Sequence, residues 1–283
     1  MSVEFCGLTL AHPVINGSGT FDALAARRVF GESLRERFPF AAYVSKTITI
    51  EPRTGNPPPR LWETPAGLIN SIGLPNKGLA GYIAEDLPEL ARLGVALFTN
   101  VMGSSAEQIA ELVKACQQRP EIAAIELNVS CPNVKTGLDI GADPATLRRV
   151  LCDVSPHTTK PLIVKLTPNA ADVPACAMAA QEGGANAVSL INTLRATALC
   201  PGEDARPWLG GETGGLSGAA VRAVALAQVR AVARQVSIPV IGMGGVQSAA
   251  HARDLLNAGA SLVAVGTGNF HDPTLAAAIA SAL

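Results

Sequence analysis

The segment IAAIELN, residues 122–128, has the pattern of a strand that is buried on both faces. Its apolar residues are nearly continuous rather than alternating with polar ones, which is typical of a parallel strand covered on both sides. The pattern breaks directly afterwards in VSCPN, residues 129–133. A strand end needs neither a free cysteine nor a proline followed by asparagine, so we interpret this end as a place where chemistry is carried out.

Seven further segments repeat the apolar pattern, and helical spacing of Ala, Leu and Arg lies between them, most clearly at 105–119 and 219–235. Ser105 is expected to cap the first of these helices. The seven segments are PVINGS (13–18), AAYVSK (41–46), ALFTNV (96–101), PLIVKL (161–166), AVSLIN (187–192), PVIGMG (239–244) and LVAVGT (262–267). Eight strands alternating with helices predict an α/β fold, a (β/α)8 TIM barrel, as a single domain over residues 1–283. An open doubly wound sheet is the competing architecture, although it more often carries one dominant glycine-rich loop after its first strand.

The composition excludes several classes of function. Of the 283 residues, 48% are hydrophobic and 16% charged, and the formal net charge is −1, so there is no basic footprint for nucleic acid. The six cysteines form no C-x-x-C pair, which argues against a metal or iron–sulfur site held by this chain. No apolar run reaches the roughly 18 residues of a membrane span, and the first residues lack the pattern of a signal peptide. We therefore expect a cytoplasmic protein with reduced thiols and no membrane partner.

Polar residues cluster at the predicted strand ends, which in a barrel all lie at the C-terminal face where active sites are built. Asparagine can cap a helix and lysine can extend to solvent, so one such residue carries little weight, but helix capping does not explain the whole set. Its members are Ser18, Lys46, Asn100, Asn128, Lys165 and Asn192. Glycine pairs after the last two strands predict a phosphate-bearing ligand. Two long segments, 47–79 and 193–217, are expected to be binding loops at the same face.

Cys131 is the candidate acid/base or nucleophile, because it lies just beyond a strand end. An ordinary thiol has a pKa of about 8.5 and can abstract a moderately acidic proton near neutral pH when a cation is close. The other cysteines are assigned to buried packing, except Cys200, which has no assigned role. The packing set is Cys6, Cys116, Cys152 and Cys176.

The motifs, in order along nearly the whole chain, resemble the class 1 dihydroorotate dehydrogenases, and class 1B more than class 1A. They are SKT (45–47), GNPPPRLWET (55–64), NSIGLPNKG (70–78), IELNVSCPN (125–133), VKLTPN (164–169), INT (191–193), TGGLSG (213–218), GMGG (242–245) and AVGT (264–267). The resemblance implies a barrel that holds FMN and oxidises dihydroorotate to orotate in de novo pyrimidine (UMP) biosynthesis, with Cys131 as the catalytic base.

The resemblance also assigns roles to individual residues. Substrate binding falls on Lys46, Asn70, Ser71, Ile72, Gly73, Leu74, Asn128, Asn133, Asn192 and Thr193. FMN binding falls on Ser18, Lys46, Thr47, Asn100, Asn128, Lys165, Ile191, Gly218, Gly244, Gly245, Gly266 and Thr267, of which the last four hold the phosphate. Lys165 stabilises the negative charge of the reduced flavin, and Lys46 pairs with the substrate carboxylate. No metal ligand is assigned.

A partner follows from the same resemblance: a subunit carrying FAD and a [2Fe–2S] cluster that passes electrons to NAD, in a heterotetramer built on a homodimer of this chain. Two departures from the family pattern are a chain that ends at Leu283 and a slightly short loop at 135–144. The alternatives are a related FMN barrel acting on another pyrimidine, as in dihydropyrimidine dehydrogenases, and a non-catalytic barrel subunit.

Overall fold

A computed structural model describes residues 2–130, 140–202 and 205–283. The strands in these residues are β1 (Val3–Phe5), β2 (Leu8–Leu10), β3 (Val14–Asn16), β4 (Ala42–Val44), β5 (Leu61–Thr64), β6 (Gly67–Asn70), β7 (Ala96–Val101), β8 (Ile122–Asn128), β9 (Leu162–Lys165), β10 (Ala187–Leu190), β11 (Leu194–Ala196), β12 (Gly214–Ser217), β13 (Val240–Met243) and β14 (Leu262–Val265).

The α-helices are α1 (Ala23–Phe30), α2 (Ser33–Glu36), α3 (Gly78–Gly81), α4 (Leu87–Leu90), α5 (Ala106–Gln117), α6 (Pro144–Val154), α7 (Val173–Glu182), α8 (Arg222–Ala233), α9 (Ala249–Asn257), α10 (Gly268–His271) and α11 (Leu275–Ala282). Each of the eight segments predicted as strands from its apolar pattern contains one barrel strand, and a helix follows every one before the next barrel strand.

Eight parallel strands form the central sheet in the order β3-β14-β13-β10-β9-β8-β7-β4. From β4 to β14, each strand of this sheet pairs with the next one along the chain, and β3 pairs with β14. This order is expected of successive right-handed βα units wound into a barrel. Alternate residues of these strands separate the core into two parts. One cluster, containing Phe98, Ala124 and Ile163, fills the barrel interior, and a larger one packs between the strands and the surrounding helices. The predicted TIM barrel is confirmed.

The seam between β3 and β4 is closed by a side chain. The Ala41 N–H donates to the Val14 carbonyl at 3.0 Å. Further along the two strands, the Asn16 amide spans the gap: its Nδ2 donates to the Val44 carbonyl and its Oδ1 accepts from the Val44 N–H, both at 2.8 Å. Asn16 is fully buried. Its side chain therefore supplies the donor and acceptor that a neighbouring strand would otherwise provide.

Replacing Asn16 with alanine is expected to lower the free energy of unfolding by about 2–4 kcal/mol, because the buried N–H and C=O of Val44 both lose their partner. Asn16→Asp keeps an acceptor but no donor for the carbonyl and is expected to destabilise as well. Urea unfolding followed by circular dichroism measures the difference. The matched control is Asn257→Ala at the exposed end of α9. If Asn16→Ala is as stable as this control, the Asn16 amide does not hold the seam between β3 and β4 together.

The N-terminal end of the barrel is plugged by the hairpin of β1 and β2. Val3 to Phe5 pair antiparallel with Leu8 to Leu10. Phe5 and Leu10 are buried in the interior cluster, and the Phe5 ring stacks on the Phe98 ring with centroids 6.1 Å apart. Apolar side chains thus seal this end, which leaves the opposite end as the mouth.

The two long segments predicted as binding loops pair with each other. Strands β5 and β6 come from the first segment and β11 and β12 from the second, and they form a four-stranded antiparallel sheet in the order β11-β12-β6-β5. The central pair joins Asn70 to Gly215 and Ser217 to Leu68. Both segments begin at the C-terminal ends of barrel strands, so this sheet, called here the lid sheet, stands over the mouth.

Predictions were made for the cap of α5, for the burial of the cysteines and for the absence of a membrane span. Ser105 caps α5, its Oγ accepting from the Gln108 N–H, as the sequence predicted. Cys116 and Cys176 are buried and Cys6 is half-buried, but Cys152 is exposed. The assignment of Cys152 to buried packing is therefore wrong, because its position on α6 faces away from the barrel. No helix within the described ranges is long and apolar enough to cross a membrane.

Candidate active site

The predicted polar strand ends converge at the mouth of the barrel. β8 ends at Asn128, β9 ends at Lys165, and Asn192 follows β10 by two residues. These strands are parallel neighbours, and Asn128 pairs in register with Lys165. The Asn192 Nδ2 donates to the Asn128 Oδ1 across a long 3.5 Å contact. The side chains predicted to bind substrate or flavin at the ends of three strands thus lie side by side.

Both asparagine amides are held by the backbone next to them. The Asn128 Oδ1 also accepts from the Ser130 N–H at 3.1 Å, and the Asn192 Oδ1 accepts from the Thr193 N–H at 2.9 Å. These contacts fix which end of the Asn192 amide is the acceptor and leave its Nδ2 directed to other groups. Such preset amides suit a ligand whose ring carries both donors and acceptors.

Lys165 and Lys46 are the two predicted site lysines, and their surroundings differ. Lys165 is 7% exposed, and no carboxylate of the described residues lies within ion-pair distance of it. An unpaired ammonium inside a barrel is costly unless an anionic group is bound beside it. Lys46 is exposed at the mouth, directly after Ser45. The buried lysine is therefore placed to act on a deeply bound group, and the exposed one on a group nearer the opening.

Beneath the mouth lies a buried polar cluster of Asn100, Glu126 and Ser189. The Asn100 Nδ2 donates to Glu126 Oε2 at 2.5 Å, and the Ser189 Oγ donates to Glu126 Oε1 at 2.7 Å. All three side chains are at most 2% exposed. The Asn100 Oδ1 is buried with no hydrogen-bond partner in the described part of the chain. A buried acceptor without a donor is unusual, and its position beneath the mouth fits a bound group that supplies the donor.

Glu126 and Ser189 were missed by the sequence interpretation, although a signal was available. Ala124 faces the barrel interior, and side chains alternate along a strand, so Glu126 and Asn128 share that inward face. Applying this alternation to the segment IELN would have placed the carboxylate inside the barrel.

Ser18 and Thr47 meet at the ends of the first two barrel strands. The Ser18 Oγ donates to the Ser45 carbonyl at 2.8 Å and lies 3.5 Å from the Thr47 Oγ1. The Ser45 Oγ in turn accepts from the Asn100 N–H at 3.0 Å. The structure thus joins Ser18 and Asn100, two of the predicted FMN-binding residues, through Ser45, which the sequence interpretation did not include.

The predicted substrate loop from Asn70 to Leu74 is held by the lid sheet. The Asn70 Nδ2 donates to the Gly215 carbonyl at 3.2 Å, and the Ser71 Oγ donates to the Thr213 carbonyl at 2.8 Å. Ile72, Gly73 and Leu74 follow, the last two with positive φ of 75° and 55°. Asn70 and Ser71 therefore tie the two lid segments together, whatever contacts they make with a substrate.

Two asparagines outside the predicted site shape this loop. The Asn56 Nδ2 donates to the Ser71 Oγ at 3.0 Å. The Asn76 Nδ2 donates to the Leu74 carbonyl at 2.9 Å, while its Oδ1 accepts from the Gly78 N–H at 2.8 Å. Both belong to the motifs that carried the resemblance, and hydrogen bonding within the loop gives those positions a structural reason.

Three glycine motifs that are distant in sequence come together beside β13 and β14. Gly244 and Gly245 have φ of 135° and 67°, which favours glycine. A Cβ on Gly245 would lie 3.0 Å from the Gly218 carbonyl oxygen, and a Cβ on Gly218 would lie 3.6 Å from the Thr267 Cγ2. The Thr267 Oγ1 donates to the Ser217 Oγ at 2.9 Å. The three motifs are thus neighbours in one corner of the mouth, and their assignment to a phosphate stays a prediction.

Gly266 completes this corner, and Ile191 lies beside it. A Cβ on Gly266 would find its nearest atom, the Thr20 Cγ2, at 3.8 Å, so the space in front of Gly266 is open. Ile191 is buried, and its side chain lies 3.4 Å from a Cβ built on Gly244. Cys131, Asn133 and residues 135–139 of the shortened loop lie outside the described residues. The predictions made for them stay predictions.

Comparison with known proteins identifies the family. The family model for dihydroorotate dehydrogenase matches residues 1–283. The chain belongs to the dihydroorotate dehydrogenase family. It is 44% identical over 286 residues to the "Dihydroorotate dehydrogenase B (NAD(+)), catalytic subunit" of Desulforudis audaxviator, spanning 100% of this chain and 91% of that protein. It is 43% identical over 284 residues to the catalytic subunit of the same name from Pelobacter propionicus, spanning 100% and 92%.

A third relative carries a different name. The "Putative dihydroorotate dehydrogenase A (fumarate)" of Solibacter usitatus is 42% identical over 284 residues, spanning 100% of this chain and 92% of that protein. The resemblance to dihydroorotate dehydrogenases drawn from the motifs is confirmed, and with it the prediction of an oxidoreductase. The polar mouth described above is therefore the candidate active site of a dihydroorotate dehydrogenase.

Proposed function

We propose that this protein oxidises dihydroorotate to orotate in pyrimidine (UMP) biosynthesis, with FMN as its resident flavin. The observation that carries the proposal is the similarity, over the whole chain, to catalytic subunits named for this reaction. A related barrel acting on another pyrimidine is the alternative, and it is distinguished by the substrate carboxylate, which dihydrouracil lacks.

Three features of the mouth fit FMN. Gly244 and Gly245 after β13 have positive φ, and the space in front of Gly266 after β14 is open. Backbone N–H groups beside glycines are a common way to bind phosphate, which supports the proposal that Gly244, Gly245, Gly266 and Thr267 hold the FMN phosphate. The unpartnered Asn100 Oδ1 suits a donor of the flavin. The buried Lys165 ammonium suits a ring system that becomes anionic on reduction. Ser18, Thr47, Ile191 and Gly218 complete the proposed FMN set.

The proposed mechanism assigns one step to each group. Cys131 removes the proton from C5 of dihydroorotate, which is acidified by the neighbouring C4 carbonyl, and the hydride leaves from C6. FMN, when bound, supplies the hydride acceptor. Lys46 pairs with the substrate carboxylate from its exposed position at the mouth. Asn128 and Asn192 orient the pyrimidine, because their neighbouring amides offer a donor and an acceptor side by side.

The remaining substrate contacts in the proposal come from the loops. Asn133 and Thr193 add hydrogen bonds to the ring and the carboxylate. The segment from Asn70 to Leu74, which includes Ser71, Ile72 and Gly73, covers the substrate, and its hydrogen bonds to the lid sheet hold it in place. No metal is part of this proposal.

The proposed electron acceptor is NAD, reached through a partner subunit that carries FAD and a [2Fe–2S] cluster. The name shared by two relatives, "Dihydroorotate dehydrogenase B (NAD(+)), catalytic subunit", supports this part. Fumarate is the second candidate acceptor, because it stands in the name of the Solibacter relative. The proposed assembly is a homodimer, enlarged to a heterotetramer with the partner. A cytoplasmic location is proposed from the scattered cysteines, which are typical of reduced thiols.

The absorbance spectrum of the purified protein tests the activity. A yellow protein whose visible flavin band bleaches on anaerobic addition of dihydroorotate is the expected result. The control is dihydrouracil, which should leave the band unchanged. A protein purified without flavin, or one bleached by dihydrouracil and not by dihydroorotate, would contradict the proposal. Reoxidation of the bleached protein with fumarate, compared with NAD plus the partner subunit, then identifies the acceptor.

Replacing Gly266 with alanine is expected to weaken FMN binding without destabilising the protein. Beyond its chain neighbours, the new methyl group meets no atom of the described residues closer than 3.8 Å, but it occupies the space proposed for the phosphate. We expect the FMN dissociation constant to rise about 10- to 100-fold, while the thermal midpoint of the flavin-free protein is unchanged. Binding of FMN is followed by fluorescence quenching. Unchanged affinity would remove Gly266 from the phosphate site.

A further inference from the structure

Glu126 is a buried charged group to which the proposed mechanism gives no role. In the part of the chain that the structure describes, Glu126 and Lys165 are the only charged side chains that are buried, at 2% and 7% exposure. No ion pair joins Glu126 to any described residue. Burying a carboxylate is costly unless its oxygens are hydrogen-bonded, so its retention inside the barrel calls for a function.

The contacts of Glu126 determine the orientation of Asn100. Both carboxylate oxygens act as acceptors, one from the Ser189 Oγ at 2.7 Å and the other from the Asn100 Nδ2 at 2.5 Å. A carboxylate accepts and does not donate, so it selects the NH2 end of the Asn100 amide. The backbone of Asn100 is fixed as well, because its N–H donates to the Ser45 Oγ at 3.0 Å.

This orientation leaves the Asn100 Oδ1 as the free end of the amide. The atom is buried, and no described residue donates a hydrogen bond to it. We infer that Glu126 is a positioning residue: by accepting from Nδ2, it sets the Asn100 Oδ1 as the acceptor for a hydrogen-bond donor of the bound flavin, either the ring N3–H or a ribityl hydroxyl. The inference rests on the proposed function, since it requires that FMN is the resident group.

Two substitutions at Glu126 separate its hydrogen bonds from its charge. Glu126→Gln keeps one oxygen for Asn100, while its NH2 donates to Ser189, whose hydroxyl rotates to accept. Its FMN dissociation constant should stay close to the wild-type value. Glu126→Met has similar length but no acceptor, so the Asn100 amide is released. The dissociation constant should then rise about 10- to 100-fold. Free flavin at equilibrium with the purified full-length protein is measured by its fluorescence.

A second pair of variants keeps the inference testable if Glu126→Met does not fold. Asn100→Asp places its carboxylate against that of Glu126 and removes the Nδ2 donor between them, so FMN binding should weaken. Adding Glu126→Gln restores a hydrogen bond, because the glutamine NH2 donates to Asp while its oxygen accepts from Ser189. The double variant should therefore bind FMN more tightly than Asn100→Asp. A purely structural role for Glu126 predicts that the second substitution adds to the damage.

The outcomes separate this inference from the proposed function. A wild-type protein without flavin contradicts the proposed function and the inference together. A flavin-bearing wild type in which Glu126→Met binds FMN normally, or in which the double variant binds no better than Asn100→Asp, overturns the inference alone. The donor is identified with 3-methyl-FMN, which lacks the ring N3–H. If the wild type binds this analogue more weakly than FMN while Glu126→Met binds the two equally, the donor is the ring N3–H. If the wild type binds the analogue and FMN equally, the donor is a ribityl hydroxyl.

Discussion

Replacing Cys131 with alanine is expected to slow the reduction of bound flavin by dihydroorotate at pH 7 by about 10²- to 10⁴-fold, the usual contribution of a positioned acid/base group. FMN and orotate should still bind, because the thiol is not assigned to hold either. Below the pKa of the thiol, the wild-type rate should rise about tenfold per pH unit as the thiolate forms. The alanine variant should lose this dependence.

Anaerobic stopped-flow absorbance measures both effects. The matched control is Cys152→Ala, which removes an exposed thiol on α6 and should reduce at the wild-type rate. Two other thiols cannot substitute for Cys131 as a base near neutral pH. Burial raises the pKa of Cys6 to about 11 and the pKa of Cys116 to about 12, so both stay protonated. Flavin reduction at the wild-type rate in Cys131→Ala would show that another group is the base.

Replacing Lys165 with methionine is the second change with a large expected effect. The substitution keeps the apolar length of the side chain and removes the buried cation. A fixed charge at a site where negative charge develops is usually worth about 10²- to 10³-fold in rate, so flavin reduction should slow by that factor. The midpoint potential of the flavin should also become more negative, because the reduced form loses its counter-charge.

Lys114→Met on the exposed face of α5 is the matched control. Stopped-flow kinetics give the rate, and equilibration with redox dyes gives the potential. A slower rate at an unchanged potential would place Lys165 on the substrate rather than on the flavin. Unchanged values of both would contradict its assigned role.

The barrel was predictable because its strands are buried on both faces. Segments such as PLIVKL are apolar for most of their length, and the polar residue of this one, Lys165, ends strand β9 at the mouth. Local pattern and final structure therefore agree. The lid sheet was predicted only as two long loops. Its strands are short, Leu61–Thr64 and Gly214–Ser217 among them, and the pairing of β6 with β12 joins segments that are far apart in sequence.

In the candidate active site, too, residues with a local sequence signal were predicted, and residues defined by contacts with distant strands were not. Lys165 and Asn100 were predicted as ligands because a polar residue at the end of an apolar strand is conspicuous. Asn16 was not selected, since nothing local shows that its amide closes a seam between β3 and β4. Glu126 lies between apolar neighbours and was passed over for the cysteine that follows. Hydrogen bonds between strands decide these roles, and a linear pattern does not contain them.

The lid sheet also bears on the order in which the molecule folds. Asn70 and Gly215 are register partners in it, with four barrel strands between them along the chain, β7, β8, β9 and β10. Closing so long a loop in the unfolded chain costs entropy that one short strand pair does not recover. The barrel strands between them must therefore associate first and bring the two segments close. The covering of the mouth is a late event in folding, and a nascent chain that has not reached β12 lacks both the lid sheet and the last two barrel strands, β13 and β14.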